Sequence, residues 1–186
     1  MTLLEIKKKI LSLIEEIDLK TDSLTNDPDI EQKLNYVINQ IQYELARFKK
    51  IPDYLEMEVT NGDLIRFEDI AEDGGYDVYQ LDVVRGAEYE FKAQGTIIKV
   101  LEDGVLEIEY FRYPTRIDEN TGDDYKFELS DDVLEILPYG VAADLLKSDV
   151  SSSYGQIYAA RYENMLQLLD SRYNTGTIAF EGGIDI

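Results

Sequence analysis

The sequence contains no histidine and no cysteine. Histidine is the commonest general base and metal ligand near neutral pH, so its absence removes the usual route to acid–base and metal chemistry. Without cysteine there is no disulfide and no thiolate metal site, and nothing suggests an oxidising compartment. Tryptophan is missing too, and basic residues are scarce: 18 Lys and Arg stand against 39 Asp and Glu, for a net charge of −21. Such a balance opposes unassisted binding to a phosphate backbone, where affinity comes from Lys and Arg displacing counterions. No apolar run approaches the ~20 residues that span a bilayer. Met1-Thr2-Leu3-Leu4-Glu5 places an acid where a signal peptide carries a positive flank, so synthesis in the cytoplasm is expected.

What is present is enough apolar material for a sizeable core. Hydrophobic residues make up 44% of 186 positions, which argues against wholesale disorder and fits one domain, or one domain with an insertion. Thr2 and Glu5 have the spacing of a capping box, and Leu3, Ile6, Ile10, Leu13, Ile14 and Ile17 hold one helical face behind them. Asp27-Pro28 restarts the chain into a second stripe, Ile30, Leu34, Val37, Ile38, Ile41, Leu45 and Phe48. Together these predict a helical hairpin.

From Met57 the period changes. Leu106, Ile108 and Tyr110 alternate with Glu107 and Glu109, the pattern of a half-buried strand. Asp103-Gly104 predicts a tight hairpin with the run Thr96–Leu101, and Asn61-Gly62 and Gly74-Gly75 mark further turns. Shorter strands are expected at Leu64–Phe67, Tyr76–Leu81, Tyr89–Lys92 and Tyr125–Leu129. Helix then returns, capped by Ser130, interrupted or restarted at Pro138, and capped again by Ser151 to Ser153. The expected fold class is α+β: a helical bundle, an inserted small antiparallel β-sheet or barrel, and an extended C-terminal tail. The expected divisions are an N-terminal hairpin at 1–56, the β insertion at 57–130, C-terminal helices at 131–173 and a tail at 174–186.

No constellation of catalytic residues is visible, and the chain is read as a non-enzyme without cofactor or metal. Adjacent carboxylates such as Asp123-Asp124 and Asp131-Asp132 could serve glycoside chemistry, but with 39 acidic residues such pairs arise by chance and read as solvated or helix-start charge. Asp118 to Asp124 has its glycine at the fifth position rather than the sixth and lacks the glutamate of a calcium loop, so an acidic turn is expected. The basic runs Lys7-Lys8-Lys9 and Lys49-Lys50 suit intramolecular or intersubunit ion pairs.

The C-terminal third points to partners. Tyr154, Tyr158 and Tyr162 recur at i+4, followed by Met165, Leu166, Leu169 and Tyr173. The stripe reads either as a core face or as an interface that stays partly wet before assembly. The segment Thr177-Ile178-Ala179-Phe180 is apolar enough to add a strand to a neighbour's sheet edge. The candidate contact residues are Tyr154, Tyr158, Tyr162, Ile178 and Phe180.

The order of parts, with Leu137-Pro138-Tyr139-Gly140-Val141-Ala142-Ala143-Asp144-Leu145-Leu146 and then Tyr158-Ala159-Ala160-Arg161-Tyr162-Glu163, resembles the head–tail connector (neck adaptor or head completion) proteins of tailed bacteriophages. The resemblance implies a virion structural protein in the phage neck. It implies a homo-oligomeric ring of about twelve subunits docked beneath the portal protein and beside the next neck or tail component. DNA would pass through the channel without specific binding, and the tail would reach into the portal or the next subunit. The acidic balance is consistent with a wall that DNA does not adhere to. The alternative reading is an acidic mimic of DNA that inhibits a nucleic-acid-binding host enzyme.

Overall fold

Thr2 and Glu5 form the expected capping box: the Glu5 N–H donates to Thr2 Oγ1 at 3.3 Å and the Thr2 N–H donates to Glu5 Oε2 at 2.9 Å. In the computed structural model, which describes residues 1–16, 24–25, 27–148 and 153–173 (side chains except at 31, 94, 148 and 170–173), this starts α1 (Leu3–Leu13). Ile17 lies outside the described residues. Asp27 caps α2 (Pro28–Phe48), its Oδ1 accepting from the N–H groups of Asp29 and Ile30 at 2.9 and 3.3 Å, with Pro28 in the first turn where its missing donor costs nothing.

The chain is mixed helix and antiparallel sheet, an α+β protein. After α2 come β1 (Ile51–Val59), β2 (Leu64–Arg66), α3 (Phe67–Gly74), β3 (Val78–Gly86), β4 (Tyr89–Lys92), β5 (Ile97–Val100) and β6 (Gly104–Arg112). Then follow α4 (Asp131–Leu134), α5 (Leu137–Leu145) and α6 (Tyr154–Tyr173). Gly75, at φ 77°, ends α3 with its N–H on Ala71 O at 2.8 Å, a left-handed cap that glycine adopts without strain.

The strands form two three-stranded sheets, ordered β1-β6-β3 and β2-β5-β4. Val59, Ile65, Val84, Ile98, Val100, Leu106, Ile108 and Tyr110 from both sheets, with Ile70 of α3, share one buried cluster. The expected hairpin across Asp103-Gly104 does not form. β5 has four residues, whereas β6 has nine and is buried in alternation at Leu106, Ile108 and Tyr110; it takes the equally long β1 and β3 as partners instead. The turn is held from elsewhere, by the Asn61 N–H donating to Asp103 Oδ1 at 2.7 Å.

Other expectations change as well. β1 starts at Ile51, before the visible change of period. The run at Leu64 supplies a three-residue strand and then turns into α3. Tyr125–Leu129 is not a strand: one bridge joins Lys126 to Thr2, and Tyr125 O accepts the Leu3 N–H at 2.9 Å. The segment thus serves an unpaired donor of the α1 N-terminus while burying Phe127 and Leu129. Ser130 makes no side-chain cap; its carbonyl accepts from Val133 and Leu134, and its hydroxyl is buried without a partner. Pro138 restarts the chain into α5. Ser151, Ser152 and the whole of 174–186 lie outside the described residues.

The helical core joins buried residues of α1, α2, α5 and α6 with Ile117, Phe127 and Leu129. Its centre is α5, which packs against α1, α2 and α6. Leu137, Pro138, Gly140, Val141 and Ala142 of α5 are all buried, the pattern of a helix surrounded by neighbours. In consequence α1 and α2 meet mainly through α5 rather than side by side as the expected hairpin. At Gly140 the fit leaves no room for a side chain, since a Cβ there would lie 2.7 Å from the Tyr162 ring.

The link from β6 to α4 is held by side-chain amides of α2. Asn39 clasps Ile117 by donating to its carbonyl at 2.6 Å and accepting its N–H at 2.8 Å. Gln42 donates to Thr115 O at 3.2 Å and Asn35 to Asp118 O at 3.1 Å. A sheet neighbour would otherwise satisfy these backbone groups.

Two further clusters join the helical and β cores. Tyr113 lies between Tyr43 and Tyr79, each ring centroid 4.8 Å away, and Arg47 donates to its hydroxyl. Arg112, buried at the end of β6, stacks 3.8 Å from the Tyr76 ring centroid and pairs with Asp53 at 2.7 Å and Glu128 at 2.8 Å. Among the described residues no helix is long and apolar enough to cross a membrane.

Candidate interaction surface

The tyrosine helix α6 divides its residues among three directions. Tyr162 faces inward, 8% exposed, and packs in the helical core. Its hydroxyl is buried with no partner in hydrogen-bond geometry, and burial, with the Glu44 carboxylate beside it, pushes ionisation of the phenol far upward. A buried hydroxyl that makes no bond contributes only a desolvation cost. Tyr162→Phe is therefore expected to hold or raise the melting temperature; a loss near the ~1 kcal/mol of a satisfied bond would show that the hydroxyl has an acceptor.

Tyr158 is half-buried, donating to Leu13 O at 2.8 Å and tying α6 to the end of α1. Tyr154 is 54% exposed and stacks on Tyr158 with centroids 6.3 Å apart. The expected stripe thus turns from surface to core along its length, because i+4 steps advance about 40° around a helix of 3.6 residues per turn. Ile178 and Phe180 lie outside the described residues.

The outward stripe of α6 is a different set. Tyr154, Ile157 (54% exposed) and Leu168 (60% exposed) recur at i, i+3 and i+14 with Arg161 at i+7, a narrow seam of the coiled-coil kind. The spacing is present in the sequence, but the inward placement of Tyr158 and Tyr162 is what sets it apart as the outward face. Arg161 lies over the Tyr139 ring, 4.3 Å from its centroid. With Lys8 and Lys9 of α1, it lines a cleft of ≈ 550 Å³ floored by Leu13, Pro138 and Met165.

The opposite flank of α6 borders a second cleft of ≈ 530 Å³, floored by the small residues Gly140, Ala143, Gly155 and Ala159. Glu44, Asp144 and Glu163 stand around it, with Lys147 paired to Asp144 at 3.9 Å.

A separate surface is the outer face of the β1-β6-β3 sheet. Glu56 sits directly across from Glu107, Tyr54 from Glu109 and Glu58 from Val105. The Tyr54 hydroxyl donates to Glu56 Oε1 at 2.7 Å, and that bond, with the Glu107 and Glu109 carboxylates nearby, pushes the phenol up to about 12. Among the described residues, the cation bridge on this face is Arg85 to Glu109 at 2.7 Å. Like charges opposed across strands cost stability, so this face is not arranged for its own sheet's benefit.

The loop 118–124 folds on itself. Asp118 Oδ1 accepts from Thr121 Oγ1 at 3.0 Å and from the Asn120 N–H at 2.9 Å, which holds the carboxyl below its ordinary range. Lys7 pairs with Asp123 at 3.7 Å. Among the described residues no group of three or more His, Cys, Asp or Glu side chains is placed to hold a metal ion. In comparison with known proteins, the chain matches no protein-family model and no curated protein sequence.

Proposed function

We propose that this chain is a virion structural protein without enzymatic activity: a head–tail connector whose copies form a ring beneath the portal, around the DNA channel of a tailed-phage neck. In this reading the helices make a bundle, the N-terminal pair completed by α5 and α6, that carries the subunit contacts, while the β unit is an insertion. The observation that supports it most is the separation of surfaces. An exposed apolar seam on α6 suits contact with protein, and an acidic sheet face suits a wall past which DNA slides. The resemblance of the segments 137–146 and 158–163 to connector proteins supplies the rest.

A second reading, a DNA mimic, draws on Glu56, Glu58, Glu107 and Glu109, which line up on one sheet face with little basic company. The experiment that separates the two is light scattering after size exclusion, with electron microscopy of the purified chain alone and co-expressed with the portal protein of its own genome. The connector reading expects a ring with a central channel, or a monomer that joins a ring only on the portal. A compact species that ignores the portal and displaces DNA from a basic enzyme would replace it with the mimic.

A further inference from the structure

We infer that copies of this chain associate head to tail through the opposite flanks of α6, the cationic cleft of one copy receiving the acidic flank of the next. The inference deepens the ring reading and rests on it for self-association; what it adds is the surface and the partner, a second copy of this chain.

The argument starts from scarcity. Of 18 basic residues in the chain, Lys8, Lys9 and Arg161 converge on one cleft, whose lining includes the carboxylate Glu135. None of the three forms an ion pair with a described residue: Lys9 approaches only Met1 Sδ and Arg161 only the Tyr139 ring. In a chain of net charge −21, carboxylates could have covered them, yet the fold leaves them facing out. The apolar seam of Tyr154, Ile157 and Leu168 runs beside this cleft, so charge and apolar surface lie together as at a protein interface.

The flank across the helix has the complementary character. Gly155, Ala159 and Glu163 follow at i+4 steps, and Glu44 and Asp144 rise on either side. The floor of small residues lets another surface approach closely. Tyr162 lines this same cleft, its hydroxyl buried beside the Glu44 carboxylate.

Neither flank complements itself, since each carries one dominant sign. Because the two flanks lie on opposite sides of α6, a two-fold contact cannot set both flanks of each copy against the partner at once, whereas a head-to-tail contact pairs unlike signs at every joint and closes into a ring or runs on as a filament. The overall negative charge does not forbid this. At physiological salt the screening length is ~8 Å, so the pattern at contact governs association.

The test uses the full chain in a concentration series by sedimentation, with circular dichroism to verify folding. Lys8→Glu with Arg161→Glu is expected to weaken self-association about tenfold or more, as is Glu44→Lys with Glu163→Lys. The combination of all four, which restores opposite signs in reversed places, is expected to recover association to near the starting level. Folded variants that assemble unchanged, or a combined variant that fails to recover, would overturn the flank contact while leaving the ring reading in place. So would a finding that removal of 174–186 alone abolishes assembly while charge reversal does not, because the tail would then be the occupant. A starting chain that never self-associates, alone or with the portal, would remove both.

Discussion

Replacing Arg112 with alanine is expected to lower stability by about 3 kcal/mol, the cost of leaving carboxylates of a largely buried ion network without their cation. For a chain of this size that is about 6–12 °C in melting temperature. The guanidinium spends its donors on Asp53, Glu128 and the Tyr113 carbonyl, and the second oxygen of Glu128 accepts the Thr115 N–H at 2.6 Å. Removal therefore loosens β1, β6 and the link to the helices together. The same site predicts an acid response. Burial opposes ionisation of Glu128, but the Arg112 and Thr115 hydrogen bonds outweigh it and hold its carboxyl below the ordinary range. A carboxyl depressed on folding contributes stability that is complete above its unfolded value, about 4.3, and is lost as pH falls through the folded value. The parent chain should lose stability on acidification below that point, and the Arg112→Ala chain should lose less. Denaturant titrations at two pH values measure this; equal acid losses would mean that Glu128 does not depend on Arg112.

Gly86→Ala should be comparably damaging, at about 2–6 kcal/mol. Gly86 has φ 102°, where a side chain is strained, and a Cβ there would run into the Val105 carbonyl oxygen. That oxygen already accepts the Ala87 N–H at 2.9 Å where β3 leaves the sheet, so neither strand can withdraw without losing a bond. Thermal unfolding reads the effect directly. A loss below about 1 kcal/mol would show that the strand end relaxes freely.

What could be read beforehand was what the chain decides locally. The box at Thr2 and Glu5, the cap at Asp27-Pro28 and the alternation at Leu106, Ile108 and Tyr110 each depend on neighbours within a few residues, and each stands in the structure. The errors concern partners far along the chain. Asp103-Gly104 is a sound turn, but whether β5 or β1 lies beside β6 depends on a match between Ile51 and Arg112 that no local pattern carries. The purpose of Asn39 is visible only with Ile117, 78 residues away, in place. The candidate surface was half legible. Tyrosines marked α6 as the helix of interest, yet the seam of Ile157, Arg161 and Leu168 emerges only once Tyr158 and Tyr162 are seen to be occupied by α1 and α5.

The stem of the β unit has a consequence of its own. Ile51 and Arg112 are register partners, so the chain leaves the helices and returns to them at one point, about 4.5–5.5 Å across. To the helical core, everything between is a single closed loop. Loop length is cheap, about 0.6 kcal/mol for each doubling. The β unit is thus free to be enlarged, trimmed or exchanged over generations, leaving α2 and the link to α4 on their existing paths, provided that Arg112 and its carboxylates stay to fasten the join.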